Sequence, residues 1–315
     1  MSKKTLFRAF QKKDDEYYTL KEDVEKIVDS FKEHINGKFV FCNCDDPLLS
    51  NFCKYFREHF EELGLKRLVS IEIYGNVYDS DKGDSVFHID NGSFDGEESL
   101  SVLQECDIVI TNPPFSLFRK YFDVVYGSGK DFVIVSPKLG CSYNNIRHKV
   151  VDGQVFFYDG IIGKKFLHDG KLEPVGARIC SNIKIKPSKP KTKHYNQKPK
   201  TVRYRKYYNF DAIEVGGLRD IPHDYYGNVG VSVSALPNID FLEFQFVGFD
   251  DEICTKIDVE QFNNWKYNKT RHNYKKLFIE IGEDELDNYE TYYKTADGKF
   301  LKSPFKRVII RRIKK

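Results

Sequence analysis

No stretch of this 315-residue chain approaches the roughly 20 consecutive apolar residues that a membrane-spanning helix needs. The opening, MSKKTLFRAFQKKDDEYY, also lacks the apolar run of a secretion signal, so no membrane association is expected. Cysteine is scattered, at 42, 44, 53, 106, 141, 180 and 254, with no C-x-x-C pair. That spacing indicates neither a zinc site nor a disulfide framework, and a reducing cytoplasm suits it. His168, His194, His223 and His272 match no metal-ligand spacing and read as surface residues, so no metal is expected. What is present, 40% hydrophobic and 31% charged residues, suits a globular protein with one large domain or two ordinary ones. The 20 Tyr and 26 Phe mostly supply its core.

Acidic residues are missing from one long segment. Between Lys184 and Lys206 there are ten Lys or Arg and no Asp or Glu, so the rest of a chain with net charge +3 carries −7. The segment KPSKPKTKHYNQKPKTVRYRKYY (186–208) marks a change of texture. Before it, strand patterns at 38–47, 66–75, 85–90, 107–111 and 131–137 alternate with helical patterns at 20–35, 51–64, 99–106 and 116–127. QVFFYDG and ARICSNIKI close this half as a pair that suits an antiparallel sheet edge. After it, AIEVGG, GNVGVSVSAL, FLEFQFVGF, KLFIEIG and FKRVIIRRIKK read as strands. The expected architecture is α/β: a doubly wound sheet over 1–186 and a smaller, mostly β module over 187–315.

One strand ends abruptly. In DIVITNPPFSLFRKYF (107–122) a buried apolar run stops at Asn112-Pro113-Pro114-Phe115. Neither proline can donate to a ladder, and Pro113 steers Asn112 away from helical angles. Ser116 is placed to cap the helix that follows. A polar amide, rigid carbonyls and an aromatic ring thus stand on a strand-to-helix turn, where open α/β sheets bind ligands. The chemistry of amino-group methylation wants such a set. An exocyclic amine is a poor nucleophile, and two acceptors on its hydrogens stabilise the positive charge that grows during methyl transfer. Asn112 offers an amide oxygen, Pro113 a carbonyl, and Phe115 a face on which a flipped base can stack. The tetrapeptide alone does not choose between adenine, guanine or a glutamine amide.

With its flanks, the motif is specific. DDEYYT (14–19), FVFCNCDDPLLSNFCKYF (39–56), LGLKRLV (63–69) and DIVITNPPFSLFRKY (107–121) resemble the EcoRI-type adenine-specific DNA methyltransferases. A thinner likeness continues in YNFDAIEV and DIPHDYYGNVGV. The resemblance implies a Rossmann-like methyltransferase sheet over 1–186 that binds S-adenosylmethionine, and a target-recognition module over 187–315. It implies methyl transfer to N6 of a flipped adenine in double-stranded DNA, with Asn112, Pro113, Pro114 and Phe115 catalytic. It also implies a cytoplasmic location, in a bacterial or phage-infected cell, and a possible cognate restriction nuclease.

The expected donor contacts are Tyr18, Thr19, Cys44, Asp45, Asp46, Pro47, Glu72 and Asp95. Tyr18 and Thr19 correspond to the segment that lies along the methionine part of the donor. The turn CNCDDP has no glycine and stands in for the usual glycine-rich loop, with Asp45 and Asp46 holding the donor's cationic side and free amides after Pro47 its carboxylate. Glu72 is placed for ribose hydroxyls. Gly92-Ser93-Phe94-Asp95 stands where the family has Gly-Asp-Phe, and Asp95 is the substitute acid. In the basic segment Lys189, Lys191, Lys193, Lys198, Lys200, Arg203, Arg205 and Lys206, with interspersed Tyr, suit DNA phosphates. The alternatives are an RNA methyltransferase of the same chemistry and a DNA-binding homologue weakened in catalysis by Ser93.

Overall fold

The computed structural model describes residues 17–186 and, beyond them, 205–206, 211–215, 217–253, 279–282, 293–294, 298, 300–302 and 306–314. The chain divides into two compact units, Met1–Ser188 and Lys189–Lys315.

The first unit is built on an eight-stranded sheet. Its strands are β1 (Phe39–Cys42), β2 (Arg67–Ile71), β3 (Asn76–Asp79), β4 (Phe87–His88), β5 (Ile108–Thr111), β6 (Asp131–Pro137), β7 (Phe156–Tyr158) and β10 (Ala177–Ser181). They lie in the order β4-β3-β2-β1-β5-β6-β10-β7. The four central strands run parallel and are buried almost throughout, as strands covered on both faces must be. At both margins the pairing turns antiparallel, and β7–β10–β6 is the antiparallel edge that the sequence suggests.

Alternation along the strands sorts the two cores. Val40, Cys42, Ile108, Ile110, Val133 and Val135 join one cluster with helices α1 (Lys21–Ile35) and α2 (Asn51–Glu58). Their neighbours Phe41, Val109, Phe132 and Ile134 are equally buried outside that cluster. On that side Phe122, from α4 (Phe118–Gly127), meets Phe132 edge-on at 5.9 Å. α3 (Glu97–Glu105) leads into β5, and α5 (Asn144–Val151) follows β6. α1 shows why these residues fold so: Val24, Ile27, Val28, Phe31 and Ile35 recur at helical spacing and are all buried. Glu22 and Asp23 in its first turn, with Lys32 and His34 in its last, complement the helix dipole.

Three features of this unit differ from the sequence reading. Ser116 caps no helix: Phe115–Leu117 form a 3₁₀ turn, and α4 starts at Phe118 without a side-chain cap. α2 ends at Glu58, and turns carry the chain to Gly64. A two-stranded sheet, β8 (Lys165–His168) with β9 (Lys171–Pro174), stands apart from the main sheet.

The second unit, taken by itself, is mostly β. Its main sheet has the order β11-β12-β13-β18-β14, from β11 (Arg205–Lys206), β12 (Ala212–Glu214), β13 (Asn228–Ser232), β18 (Arg307–Arg312) and β14 (Phe244–Phe249). β15 (Ile279–Ile281), β17 (Phe300–Lys302) and β16 (Tyr293–Lys294) form a second, three-stranded sheet. Val229, Val231, Phe249, Val308, Ile309 and Ile310 are buried within this unit.

Candidate active site

In the order β3-β2-β1-β5-β6 the chain winds outward from β1 in one direction, then returns to place β5 on the other flank. The two loops that leave β1 and β5 diverge there, and a crevice opens at the strands' carboxyl ends. A cavity of about 230 Å³ occupies this place. It is lined by Tyr17–Thr19, by Asn43–Asp46 after β1, by Glu72–Tyr74 after β2, by Gly92 and Phe94, and by Asn112–Ser116 after β5. Tyr18, Thr19, Cys44, Asp45, Asp46, Glu72, Asn112, Pro113, Pro114 and Phe115 thus come together on one wall system. Pro47 and Asp95 are not part of it.

Asn112 is held by its own amide. Its Nδ2 donates to the carbonyl of Tyr17, and its backbone N–H donates to Asp45 Oδ2 at 3.3 Å. Facing a carbonyl oxygen, an amide must present its NH₂, so Oδ1 is left as the free acceptor. No donor among the described residues reaches that oxygen. Tyr17 is itself fixed: its ring stacks on His168 at 4.7 Å, and Tyr18 exchanges backbone bonds of 2.8 and 3.0 Å with Leu167. Phe115 meets Phe166 of the same strand at 6.4 Å.

Asp45 stands on the same wall. Its carboxylate, 5% exposed, points into the protein. Ser50 Oγ donates to Oδ1 at 2.6 Å, while Thr111 Oγ1 and the Asn112 N–H donate to Oδ2. Burial pushes its pKa up to about 6 against the lowering effect of these bonds. Both oxygens therefore accept hydrogen bonds from within the protein. Asp46 closes its own turn by accepting from the Leu48 N–H at 2.7 Å. Of the amides after Pro47, those of Leu49 and Ser50 bond to the Asp46 carbonyl, and that of Phe52 to Ser50 Oγ.

Asp95 is likewise committed elsewhere. It accepts from Ser93 Oγ and Lys120 Nζ, each at 2.5 Å, and although burial raises its pKa these partners bring it below the usual value. Phe94 faces the cavity in its stead. Glu72 is buried on the wall with Oε1 accepting from the Tyr74 N–H at 2.7 Å. The turn it opens requires two glycines. A Cβ on Gly92 would lie 1.8 Å from the Glu72 carbonyl, and Gly75, at φ +95°, has Ile89 O where a Cβ would stand.

Sequence reasoning misses Asn43. It is 1% exposed, its Oδ1 accepts from Tyr121 OH at 2.5 Å, and its Nδ2 has no partner. Thr19 Oγ1 is buried without a partner on the same cavity. Two unpaired buried donors on one wall suit an anionic ligand group, because burial without one costs about 1–3 kcal/mol each. No signal in the sequence separates Asn43 from any other turn asparagine; only Tyr121, 78 residues away, fixes its orientation.

The sequence profile of a family described as adenine-specific methyltransferase EcoRI matches residues 5–89, 84–166 and 171–313. The chain belongs to that family. It is 31% identical to the Type II methyltransferase M.EcoRI of Escherichia coli, across 78% of this chain and 89% of that protein. It is 32% identical to M.MpnI of Mycoplasma pneumoniae, covering 76% and 84%, and 29% identical to M.MgeORF184P of Mycoplasma genitalium over the same shares. Family membership makes this chain an adenine-specific methyltransferase, and the sheet is the Rossmann-like one expected of it.

The eight basic residues expected on DNA are not tested by this geometry. Lys189, Lys191, Lys193, Lys198, Lys200 and Arg203 lie outside the described residues, and of Arg205 and Lys206 only the strand is described. Among the described residues six cysteines are free, no group of His, Cys, Asp or Glu is arranged to hold a metal, and no helix is long and apolar enough to cross a membrane.

Proposed function

We propose that this protein is a site-specific DNA methyltransferase that modifies the N6 amino group of a flipped adenine, using S-adenosylmethionine bound in the cavity between β1 and β5. The observation that carries the reading is the amide of Asn112, whose NH₂ is given to Tyr17 and whose oxygen is left as an acceptor on the cavity. S-adenosylmethionine supplies an activated methyl group. Asn112 Oδ1 and the Pro113 carbonyl accept the two hydrogens of the adenine amine and stabilise the charge that grows on nitrogen. Phe115 stacks on the extruded base, and no general base is needed before transfer. Thr19 Oγ1 and Asn43 Nδ2 take the donor's carboxylate, and Glu72 takes its ribose.

In this reading residues 1–186 bind the donor and catalyse, while 187–315 recognise the target, with the basic segment lying on phosphates. If about six of its charges do so, affinity for duplex DNA falls by roughly a thousandfold or more between 50 and 200 mM salt. The experiment is transfer of tritium from labelled donor to duplex DNA, with structured RNA alongside. Labelling of DNA, lost in Asn112→Ala while DNA is still bound, supports the reading. Labelling of RNA alone overturns its substrate.

A further inference from the structure

We infer that Asp45 is the positioning residue of the catalytic turn: its buried carboxylate ties the end of β1 to the end of β5 and holds Asn112 in register. This rests on the reading of Asn112 given above. Neighbouring parallel strands normally stay joined by their ladder, but at this crevice the loops after β1 and β5 part, and no ladder continues between 43–47 and 112–115. Asp45 spans the gap. Ser50 Oγ at the start of α2, Thr111 Oγ1 at the end of β5 and the Asn112 N–H all donate to its carboxylate, while Ser70 Oγ of β2 donates to its carbonyl at 2.6 Å. Residues of β2, of β5 and of the start of α2 therefore meet at one residue of the turn after β1.

All three carboxylate contacts are donors, so the ionised form accommodates them together. A protonated acid would set its own hydrogen against one of them, and a hydroxyl would have to turn away. The titratable groups that face Asp45 are Cys42, Cys44 and Asp46 on its own strand and turn, Cys53 on α2 and Tyr121 on α4. Burial pushes the three thiols and the phenol above their ordinary values, so they stay neutral at physiological pH, and Asp46 is the neighbouring charge. With its pKa near 6, Asp45 is charged at pH 7 and loses that charge one or two units below. The carboxylate acts on the reaction through Asn112 and touches neither substrate nor donor.

The test compares the full chain with Asp45→Asn, Thr111→Val and Thr111→Ser. A displacement of about 1 Å in a catalytic group can cost 10²-fold, and Asp45→Asn is expected to lower kcat for DNA labelling by ~10–100-fold. Calorimetry should find the dissociation constant for S-adenosylmethionine changed by less than about threefold. Thr111→Val should lose activity likewise, and Thr111→Ser should keep it. Wild-type kcat should fall below pH 6, and the Asp45→Asn profile should be flat there. Hydrogen exchange at the Asn112 amide, protected in the wild type, should quicken in Asp45→Asn. Donor affinity that weakens in step with kcat would make Asp45 a ligand and overturn the inference. So would unchanged kcat, a Thr111→Ser as poor as Thr111→Val, or unchanged exchange. If Asp45→Asn fails to fold, the Thr111 pair decides. If the wild type labels no DNA, the reading of function fails instead, and amide exchange still judges Asp45.

Discussion

Two turns flank the cavity, and they treat their polar residues in opposite ways. After β1, the turn Asn43–Pro47 is the more charged, yet its Asp45 spends both carboxylate oxygens on the protein. After β5, the turn Asn112–Phe115 carries no charge, yet it leaves an amide oxygen open on the cavity. The difference follows from desolvation. A buried carboxylate must be surrounded by donors to stay ionised, and here the fold supplies them. A neutral amide can have half its hydrogen-bonding capacity satisfied and keep the other half for a substrate at small cost. Charge at a strand end is thus poor evidence of ligand contact; an amide whose orientation is dictated by one neighbour is better evidence.

Substitutions can break or sharpen that contrast. The largest expected effect is Asn112→Ala: removal of one preorganised polar group from a site of this type costs about 10²–10³ in kcat, with DNA affinity kept in a gel-shift assay. Next comes the pH dependence of stability. Burial raises Asp45 in the folded state to about 6 from 3.8, so the folded protein binds more protons than the unfolded chain in that window. The contribution of Asp45 to stability therefore declines as pH rises from about 4 to 6 and stays flat above. Denaturant titrations at pH 4.5 and 7.5 should show Asp45→Asn losing this decline, worth on the order of 2–3 kcal/mol. Thr19→Val removes an unpaired buried hydroxyl, so it should leave folding stability unchanged or raised. Its affinity for the donor should weaken by about 1 kcal/mol in calorimetry. The smallest effect belongs to Asp46→Ala, expected to cost ~0.5–1 kcal/mol of stability through the lost bond to Leu48, with donor affinity unmoved.

Much of this arrangement is legible in the sequence because it is local. The buried runs of β1, β5 and β6, the apolar spacing of α1 and the stiff exit at Pro113-Pro114 each declare themselves within a few residues. What is not legible depends on distant partners. The direction of Asp45 is set by Ser50, Thr111 and Asn112, five to 67 residues away, and that of Asn43 by Tyr121. Lys120, 25 residues from Asp95, takes an acid that a spacing argument assigns to the donor. The β8–β9 hairpin is too short and polar to stand out, although Asp169-Gly170, both at positive φ, is the turn pair such a hairpin needs.

The Tyr17 contact has one more implication. The acceptor that orients the Asn112 side chain is a main-chain oxygen, and every amino acid has one. Exchange of side chain 17 leaves that oxygen in the chain, although it removes the ring that stacks on His168. An insertion between Tyr17 and the clasp at Tyr18–Leu167 would swing that oxygen away, so the contact to Asn112 depends on the spacing of the segment.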